Sequence, residues 1–535
     1  MPEDRAIRRY AHVALITRQT PLDPDWTPEF LGFKAYNLAR MAAIGLNVPP
    51  AFVLGTGFCD AAAGLAPEVW RPSLRALEAA TDEVFGDPKR PLLLSVRSGA
   101  PVSMPGMMET LLNIGLTDAT LPGFIRQTGH PRLAWDAYRR LIAGYGEVVA
   151  GIEVRVFEAD LAAIAGGEAE RDLDFEALRA LARRHLETYE RCAGAPFPQD
   201  PLVQLQSAIR AVFASWNSEK ACAYRDLRHL PHDMGTAVTV QRMVFGNAGG
   251  LSGAGVGFTR NPGDGDPHPW VDFLFNAQGE DVVSGRRSAE GHAALAAVAP
   301  RVWDELVAAA AILERELRDM QDFEFTVENG RLFLLQTRDG KRTPLAAARI
   351  ALDMADEGLI DPETARQRTA GIASEALAVT VLANAGEQSP VPLAHAASAA
   401  SGVVSGVVAL DESHARQFRG AGKAVILVRR DAETRDIAAL DLAAGLLTQR
   451  GARTSHAAVV ARQLGKVCLV GCEAMRIDEQ AGRVMFGDRG FSEGDWLTLD
   501  GNAGDVHAGV VGIRTRSKVS KTSSSAPRWR RSPEV

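Results

Sequence analysis

Between Thr454 and Leu464 the chain reads Thr-Ser-His-Ala-Ala-Val-Val-Ala-Arg-Gln-Leu, a histidine behind two hydroxyl side chains at the start of an apolar helix. The turn Gln449-Arg450-Gly451 precedes it. The first turn of a helix presents unpaired N–H groups and a partial positive charge, which suit a phosphate. An unperturbed imidazole titrates near roughly 6.5, so much of it is an uncharged nucleophile at neutral pH. His456 therefore reads as a carrier of a phosphoryl group; a cap or a packed side chain is the plain structural alternative.

A second concentration of chemistry lies at Asp322, Glu324, Gln336 and Arg338, on two apolar runs that flank Glu328-Asn329-Gly330. A three-residue loop closed by the glycine would set Asp322 opposite Gln336 and Glu324 opposite Leu334. Side chains alternate along a strand, so Asp322, Glu324, Gln336 and Arg338 would then share one face. Phe323, Phe325, Val327, Phe333 and Leu335 would share the other, and a one-residue slip would mix the two. Two carboxylates beside an arginine and an amide suit Mg²⁺ with triphosphate oxygens. An internal salt bridge on a wet sheet face is the competing reading.

The glycine-rich stretch 246–257, with Gly253 and Gly255 in it, reads as a loop whose backbone N–H groups can approach phosphate. No Gly-Lys-Ser/Thr follows, so it is not a Walker loop, and a flexible turn has the same composition. Arg97 follows a buried strand, where an unpaired charge is costly and a bound anion relieves the cost.

The elements that must position these groups are mixed. Helices are expected over 38–46, 134–149, 173–192, 202–216 and 289–319, with connecting helices over 344–358 and 361–369. Strands are expected over 92–96, 237–245 and 424–428, and a hairpin over 323–335. The Ala-, Ser- and Pro-rich stretch 385–400 is the best linker candidate, and 515–535, basic and Ser-rich, is expected to be disordered.

A chain of 535 residues has room for two to four domains with ample core. Hydrophobic content of 46% and charged content of 23% are ordinary for an enzyme. A net charge of −7 gives no general attraction to nucleic acid or anionic membrane. Neither a secretory signal nor a membrane-spanning apolar run is apparent. The five cysteines indicate a reducing compartment, with Cys468 and Cys472 in an apolar run read as core, and a cytoplasmic location is expected.

Several runs, in order, resemble the pyruvate, phosphate dikinase family of PEP-utilising enzymes. Gly451-Ala-Arg-Thr-Ser-His-Ala-Ala-Val-Val-Ala-Arg462 resembles its phosphohistidine motif. Ser95-Val-Arg-Ser-Gly-Ala-Pro-Val-Ser-Met-Pro-Gly-Met-Met-Glu-Thr110, Phe275-Asn-Ala-Gln-Gly-Glu-Asp-Val-Val283, Met320-Gln-Asp-Phe-Glu-Phe-Thr326 and Leu335-Gln-Thr-Arg-Asp-Gly-Lys-Arg342 extend the match. The resemblance implies a multidomain α/β fold. An ATP-grasp nucleotide-binding domain over 1–345 would precede a helical linker over 346–400, a swivelling β/β/α phosphohistidine domain over 401–512 and a basic tail over 513–535.

It also implies the chemistry. ATP and inorganic phosphate would give AMP, pyrophosphate and phosphorylated His456, which passes its phosphoryl group to pyruvate or another acceptor. Lys34, Arg97, Gln241, Gly253, Gly255, Gln336 and Arg338 would bind the nucleotide, Asp322 and Glu324 would hold Mg²⁺, and Thr454 would hydrogen-bond near the imidazole. The family's C-terminal PEP/pyruvate barrel has no counterpart in this sequence, so a separate barrel subunit is an expected partner. A nucleotide-binding regulator or a truncated remnant is the alternative. Three departures stand out: Gly451-Ala452 where the family has Gly-Gly, Arg453 where the dikinases have methionine, and Gly32-Phe-Lys-Ala35 where it has Gly-Gly-Lys-Gly.

Overall fold

Apolar runs bounded by glycine and proline become strands and capped helices in a computed structural model. It describes residues 12–60, 65–102, 104, 107–168, 170–283, 290–383, 390–431, 436–451, 453, 455–479 and 481–517. The chain divides into two compact units, Met1–Gly249 with Phe333–Thr337, and Gly250–Leu332 with Arg338–Val535.

The first unit is built on an antiparallel sheet of β1 (Val13–Ile16), β2 (Ala51–Leu54), β3 (Leu94–Gly99), β4 (Thr110–Ile114) and β5 (Ala237–Arg242), in the order β1-β2-β5-β3-β4. Helices Pro131–Val148, Phe175–Ala193 and Pro201–Ala214 lie close to their expected spans. Asp174 and Asp200 cap the last two by accepting from Ala177 N and Leu202 N, each at 2.8 Å. Their apolar faces join Trp70, Tyr138, Tyr145 and Phe213 in one core. Each fully buried large side chain there contributes about 1.5–3 kcal/mol.

In the second unit, β6 (Gly253–Phe258), β7 (Trp270–Phe275), β8 (Glu290–Gly291) and β9 (Gln321–Glu328) form a sheet in the order β9-β6-β7-β8; β10 (Arg331–Asp339) follows β9 at its edge, and its middle, Phe333–Thr337, is counted with the first unit. The helix expected over 289–319 is two helices, His292–Val298 and Pro300–Leu317. Ala299 breaks it at φ −133°, ψ 66°, because the residue before a proline is pushed out of the helical region. Buried Arg260, at the end of this sheet, is gripped by Glu314 at 3.0 Å and Glu357 at 2.7 Å.

The rest of this unit holds β11 (Ala378–Leu382), β12 (Ala394–His395), β13 (Ala397–Ala400), β14 (Val403–Ala409), β15 (Val425–Arg429), β16 (Gly445–Thr448), β17 (Val467–Val470), β18 (Met475–Asp478), β19 (Arg483–Phe486), β20 (Arg489–Ser492), β21 (Trp496–Asp500), β22 (Asp505–Ala508) and β23 (Ile513–Ser517). Eight of them make a mixed sheet, β12-β22-β21-β14-β15-β16-β17-β13, parallel from β14 to β17. One face packs on Ala457, Ala458 and Ala461 of helix His456–Gln463. The other packs on Met475, Ile477, Val484 and Phe486 of the β18-β19-β20 sheet. Three-stranded sheet, eight-stranded sheet and helices thus follow the β/β/α layering that the family resemblance implied. Cys468 and Cys472 are fully buried and free, as core residues.

Four expectations are corrected. The helical linker over 346–400 is helical only in its first half, at Pro344–Asp356 and Pro362–Thr369; 394–395 and 397–400 are strands of the eight-stranded sheet. The linker candidate 385–400 shares that fate, with 384–389 outside the described residues. The basic tail begins later than residue 513 or 515, because β23 pairs with β11; the rest, 518–535, lies outside the described residues. The glycine-rich loop ends at 252, and Gly253, Gly255 and Gly257 are strand residues of β6.

The hairpin also differs. Only Asn329 and Gly330 separate β9 from β10, both at positive φ (50° and 77°), giving a two-residue turn in place of the expected three. Such turns match the right-handed twist of the flanking strands. Alternation could not choose the register, because Leu332, Phe333 and Leu334 are all buried in succession.

Candidate functional site

Lys34 sits one turn into helix Pro28–Ala43, just past a kink at Gly32 (φ 72°, ψ 154°). That conformation is essentially confined to glycine. Phe33 N donates to Ala100 O at 2.9 Å, so the kink turns the helix onto the end of β3. Asn37, buried one turn later, donates from Nδ2 to Thr337 O at 2.8 Å. Arg97 lies on β3 directly opposite Thr239 of β5, and Ser95 opposite Gln241. Positions two apart share a face, so Arg97, Thr239 and Gln241 point the same way. Gln241 is buried and its Nε2 donates to Pro49 O at 3.0 Å. Lys34, Arg97, Ser98, Thr239, Gln241 and Gln336 line one narrow cleft of the first unit. A cation at the rim, a second on the strand and two amides in the wall make an anion-binding arrangement.

The acidic group lies in the second unit. Asp322 pairs with Phe258 and Glu324 with Val256, so both carboxylates fall on one face of β9. Arg338 Nε donates to Asp322 Oδ2 at 2.7 Å. Burial pushes the Asp322 carboxyl above the usual carboxylate range; Arg338 pulls it back and the Glu324 charge adds to the rise. A hard divalent cation beside this pair would relieve that penalty. A set of two carboxylates suits Mg²⁺, which keeps waters and phosphate oxygens in its shell.

The opposite face of this sheet explains the glycines. A β-carbon on Gly253 would lie 2.1 Å from the Phe273 ring, and one on Gly255 2.4 Å from the Phe325 ring. Phenylalanine rings lie against the bare backbone there, so packing accounts for Gly253 and Gly255 being glycine.

His456 opens the helix His456–Gln463, and Ser455 caps it by accepting from Ala458 N at 3.4 Å. The His456 side chain, Thr454 and Ala452 lie outside the described residues. Gly451 has φ 126°, a conformation that favours glycine. Arg453 was noted in the sequence only as a departure from the dikinases. Its Nη2 lies 2.6 Å from Asp272 Oδ1 and its guanidinium 4.2 Å from the Trp270 ring centroid. Arg462, fully buried on the same helix, donates from Nη1 to Ala399 O at 3.0 Å and to Arg453 O at 2.8 Å. Burial pulls its pKa down to about 10. Sequence reasoning missed both arginines' contacts and Asp272. The one signal was a lone carboxylate in the apolar run Trp270-Val-Asp-Phe-Leu-Phe275.

Among the described residues one further grouping, Asp411, His414 and Glu493, brings possible ligand atoms within 4.8 Å of one another. Its contacts are local: Asp411 caps helix Glu412–Gly420, and Glu493 accepts from Leu410 N at 2.8 Å. No helix among the described residues is long and apolar enough to cross a membrane.

Residues 62–296 match the family described as "Pyruvate phosphate dikinase, AMP/ATP-binding domain", and 421–504 match "PEP-utilising enzyme, mobile domain". The chain is 43% identical to pyruvate, phosphate dikinase 2 of Zea mays over 491 residues, covering 90% of this chain and 56% of that protein. It is 41% identical to pyruvate, phosphate dikinase of Clostridium symbiosum over 492 residues, with 90% and 56% covered. The enzyme of that name from Rhizobium meliloti (strain 1021) is 42% identical over 504 residues, with the same shares covered. The chain thus spans about half the length of the curated relatives it matches.

Proposed function

From the chain's place in the pyruvate, phosphate dikinase family, which its AMP/ATP-binding and mobile domains establish, we propose that it moves a phosphoryl group from ATP to His456. ATP and inorganic phosphate are consumed. The α-phosphate leaves as AMP, the γ-phosphoryl joins inorganic phosphate as pyrophosphate, and the β-phosphoryl bonds to an imidazole nitrogen. The phosphohistidine then hands the group to pyruvate or another acceptor.

In this reading Lys34 and Arg97 neutralise the polyphosphate while Gln241 and Gln336 orient it. Asp322 and Glu324 hold Mg²⁺, and a bound Mg²⁺ supplies charge neutralisation at the phosphoryl oxygens. Arg338, fixed by Asp322, stabilises charge that develops on the transferring group. Thr454 orients the imidazole by a hydrogen bond. We place the chemistry in the cytoplasm, in keeping with five free cysteines. The observation that supports the reading most is the presence, in one chain, of both matched domains with a histidine opening a Ser-capped helix in the second.

The test is incubation with Mg²⁺, inorganic phosphate and ATP labelled at the β position. Acid-labile label on the protein, absent in His456→Ala and accompanied by AMP and pyrophosphate, is the expected result. ATP binding without label would reject phosphotransfer and leave a nucleotide-binding regulator.

A further inference from the structure

Three residues before His456, Arg453 is held by β7 in three ways. Its Nη2 lies 2.6 Å from Asp272 Oδ1, the same nitrogen is 2.9 Å from Val271 O, and the guanidinium lies over the Trp270 ring. The Asp272 side chain is 1% exposed and that of Arg453 19%, so the pair is largely out of water. Losing either partner of such a pair leaves an uncompensated buried charge. Arg462 grips the same turn from the other side, donating to the Arg453 carbonyl at 2.8 Å. Its guanidinium also lies 5.4 Å from both the Phe258 and the Trp270 ring centroids. The turn that leads into the His456 helix is thus fixed at its side chain by a strand and at its backbone by the helix itself.

β7 falls within the matched AMP/ATP-binding domain, and Arg453 and Arg462 within the matched mobile domain. A methionine at 453, as the dikinase motif has, would keep contact with the ring but could neither pair with Asp272 nor donate to Val271. The arginine and the lone carboxylate of β7 therefore make a matched pair in this chain.

We propose that Arg453 is a positioning residue. By pairing with Asp272 and stacking on Trp270, it fixes the first turn of the His456 helix against the AMP/ATP-binding domain and so sets the rate at which His456 takes the phosphoryl group. The inference rests on the phosphotransfer reading above and deepens it. Displacing a nucleophile by about 1 Å costs roughly a hundredfold in rate, which makes the pinning of this turn a kinetic matter.

The experiment pairs two readouts on the full chain: the rate of His456 labelling from β-labelled ATP, and hydrogen exchange of the amides of residues 455–463. Arg453→Met is expected to slow labelling at saturating ATP roughly a hundredfold, to leave KM for ATP unchanged, and to speed amide exchange. Arg453→Lys, which keeps the charge but loses the planar fork and its stacking, recovers only part of the rate. Exchanging the pair (Asp272→Arg with Arg453→Asp) is expected to recover both readouts relative to either single change, and it carries the test if Arg453→Met fails to fold. Labelling and exchange both unchanged in Arg453→Met would overturn the proposal. If the unaltered chain takes no label, exchange separates the two ideas: faster exchange in Arg453→Met keeps the pinned turn while phosphotransfer falls, and unchanged exchange ends both.

Discussion

A β-carbon on Gly32 would lie 1.8 Å from the carbonyl oxygen of Gly99, whereas one on Gly99 would come no nearer than 3.8 Å to its closest neighbour, Leu31 O. The two glycines touch, yet only one of them has to be a glycine. Through this contact the helix that carries Lys34 reaches the end of the strand that carries Arg97.

Gly32→Ala is therefore expected to lose roughly 2–5 kcal/mol, from a backbone conformation closed to alanine and from overpacking against backbone. Gly99→Ala is expected to stay within about 1 kcal/mol, since a glycine in a strand gives up entropy that alanine saves. Urea denaturation of both variants checks this. Equal stabilities would show that the close approach is not what holds the kink.

Asp322→Asn keeps the shape of the side chain but removes the charge beside Arg338. His456 labelling is expected to fall about 10²–10³-fold, the usual loss when one electrostatic contributor is removed. The Mg²⁺ concentration at half-maximal rate should rise, and in Glu324→Gln likewise. A Mg²⁺ titration of labelling in both variants is the measurement; an unshifted midpoint would reassign the carboxylates to a structural ion pair.

His185 is 1% exposed, with Nδ1 3.2 Å from Arg139 O and Nε2 3.3 Å from Phe157 O. Burial lowers its pKa, and the two carbonyls offset only part of that. The sign follows from linkage. Above the unfolded value of about 6.5 the neutral ring costs nothing extra, and below it the unfolded chain takes up a proton that the folded chain resists. The contribution is thus whole above that value and is lost as the pH falls through the lower folded value. Urea midpoints at a series of pH values should decline on that side, and less steeply in His185→Gln. Parallel slopes in the two proteins would count against it.

Burial raises the thiol of Cys468 to about 12 and that of Cys472 to about 11, and Cys192 is exposed. The thiolate is the reactive form, so an alkylating reagent at neutral pH should label Cys192 first and leave Cys468 and Cys472 unmodified until the chain unfolds. Mass spectrometry of digests after native and denatured labelling reads this directly. Early modification of Cys468 would mean that the eight-stranded sheet opens in the folded protein.

Local chemistry was the part of this protein open to reading from sequence. A serine before a histidine and an alanine-rich run specify a capped helix, and the helix is there. Period-two alternation placed Asp322 and Glu324 on one face of their strand. What escaped were features decided by contacts between distant residues. The length of the hairpin turn could not be read from polarity, because three consecutive residues of β10 are buried. Gly253 and Gly255 looked like loop glycines, since nothing local announces that Phe273 and Phe325 will lie against them. Thr515 and Arg516 looked like the start of a solvated end, and only a partner more than a hundred positions upstream makes them strand. Asp272 was invisible for the same reason: its meaning is Arg453.

Strand β23 closes the segment that carries the eight-stranded sheet. Ala378 pairs with Ser517 and Leu382 with Ile513, so the chain enters and leaves the segment that holds the eight-stranded sheet side by side. Five paired positions join the two ends of that segment, so pulling residue 517 away from Ala378 would have to open a two-stranded ribbon before it strained the eight-stranded sheet.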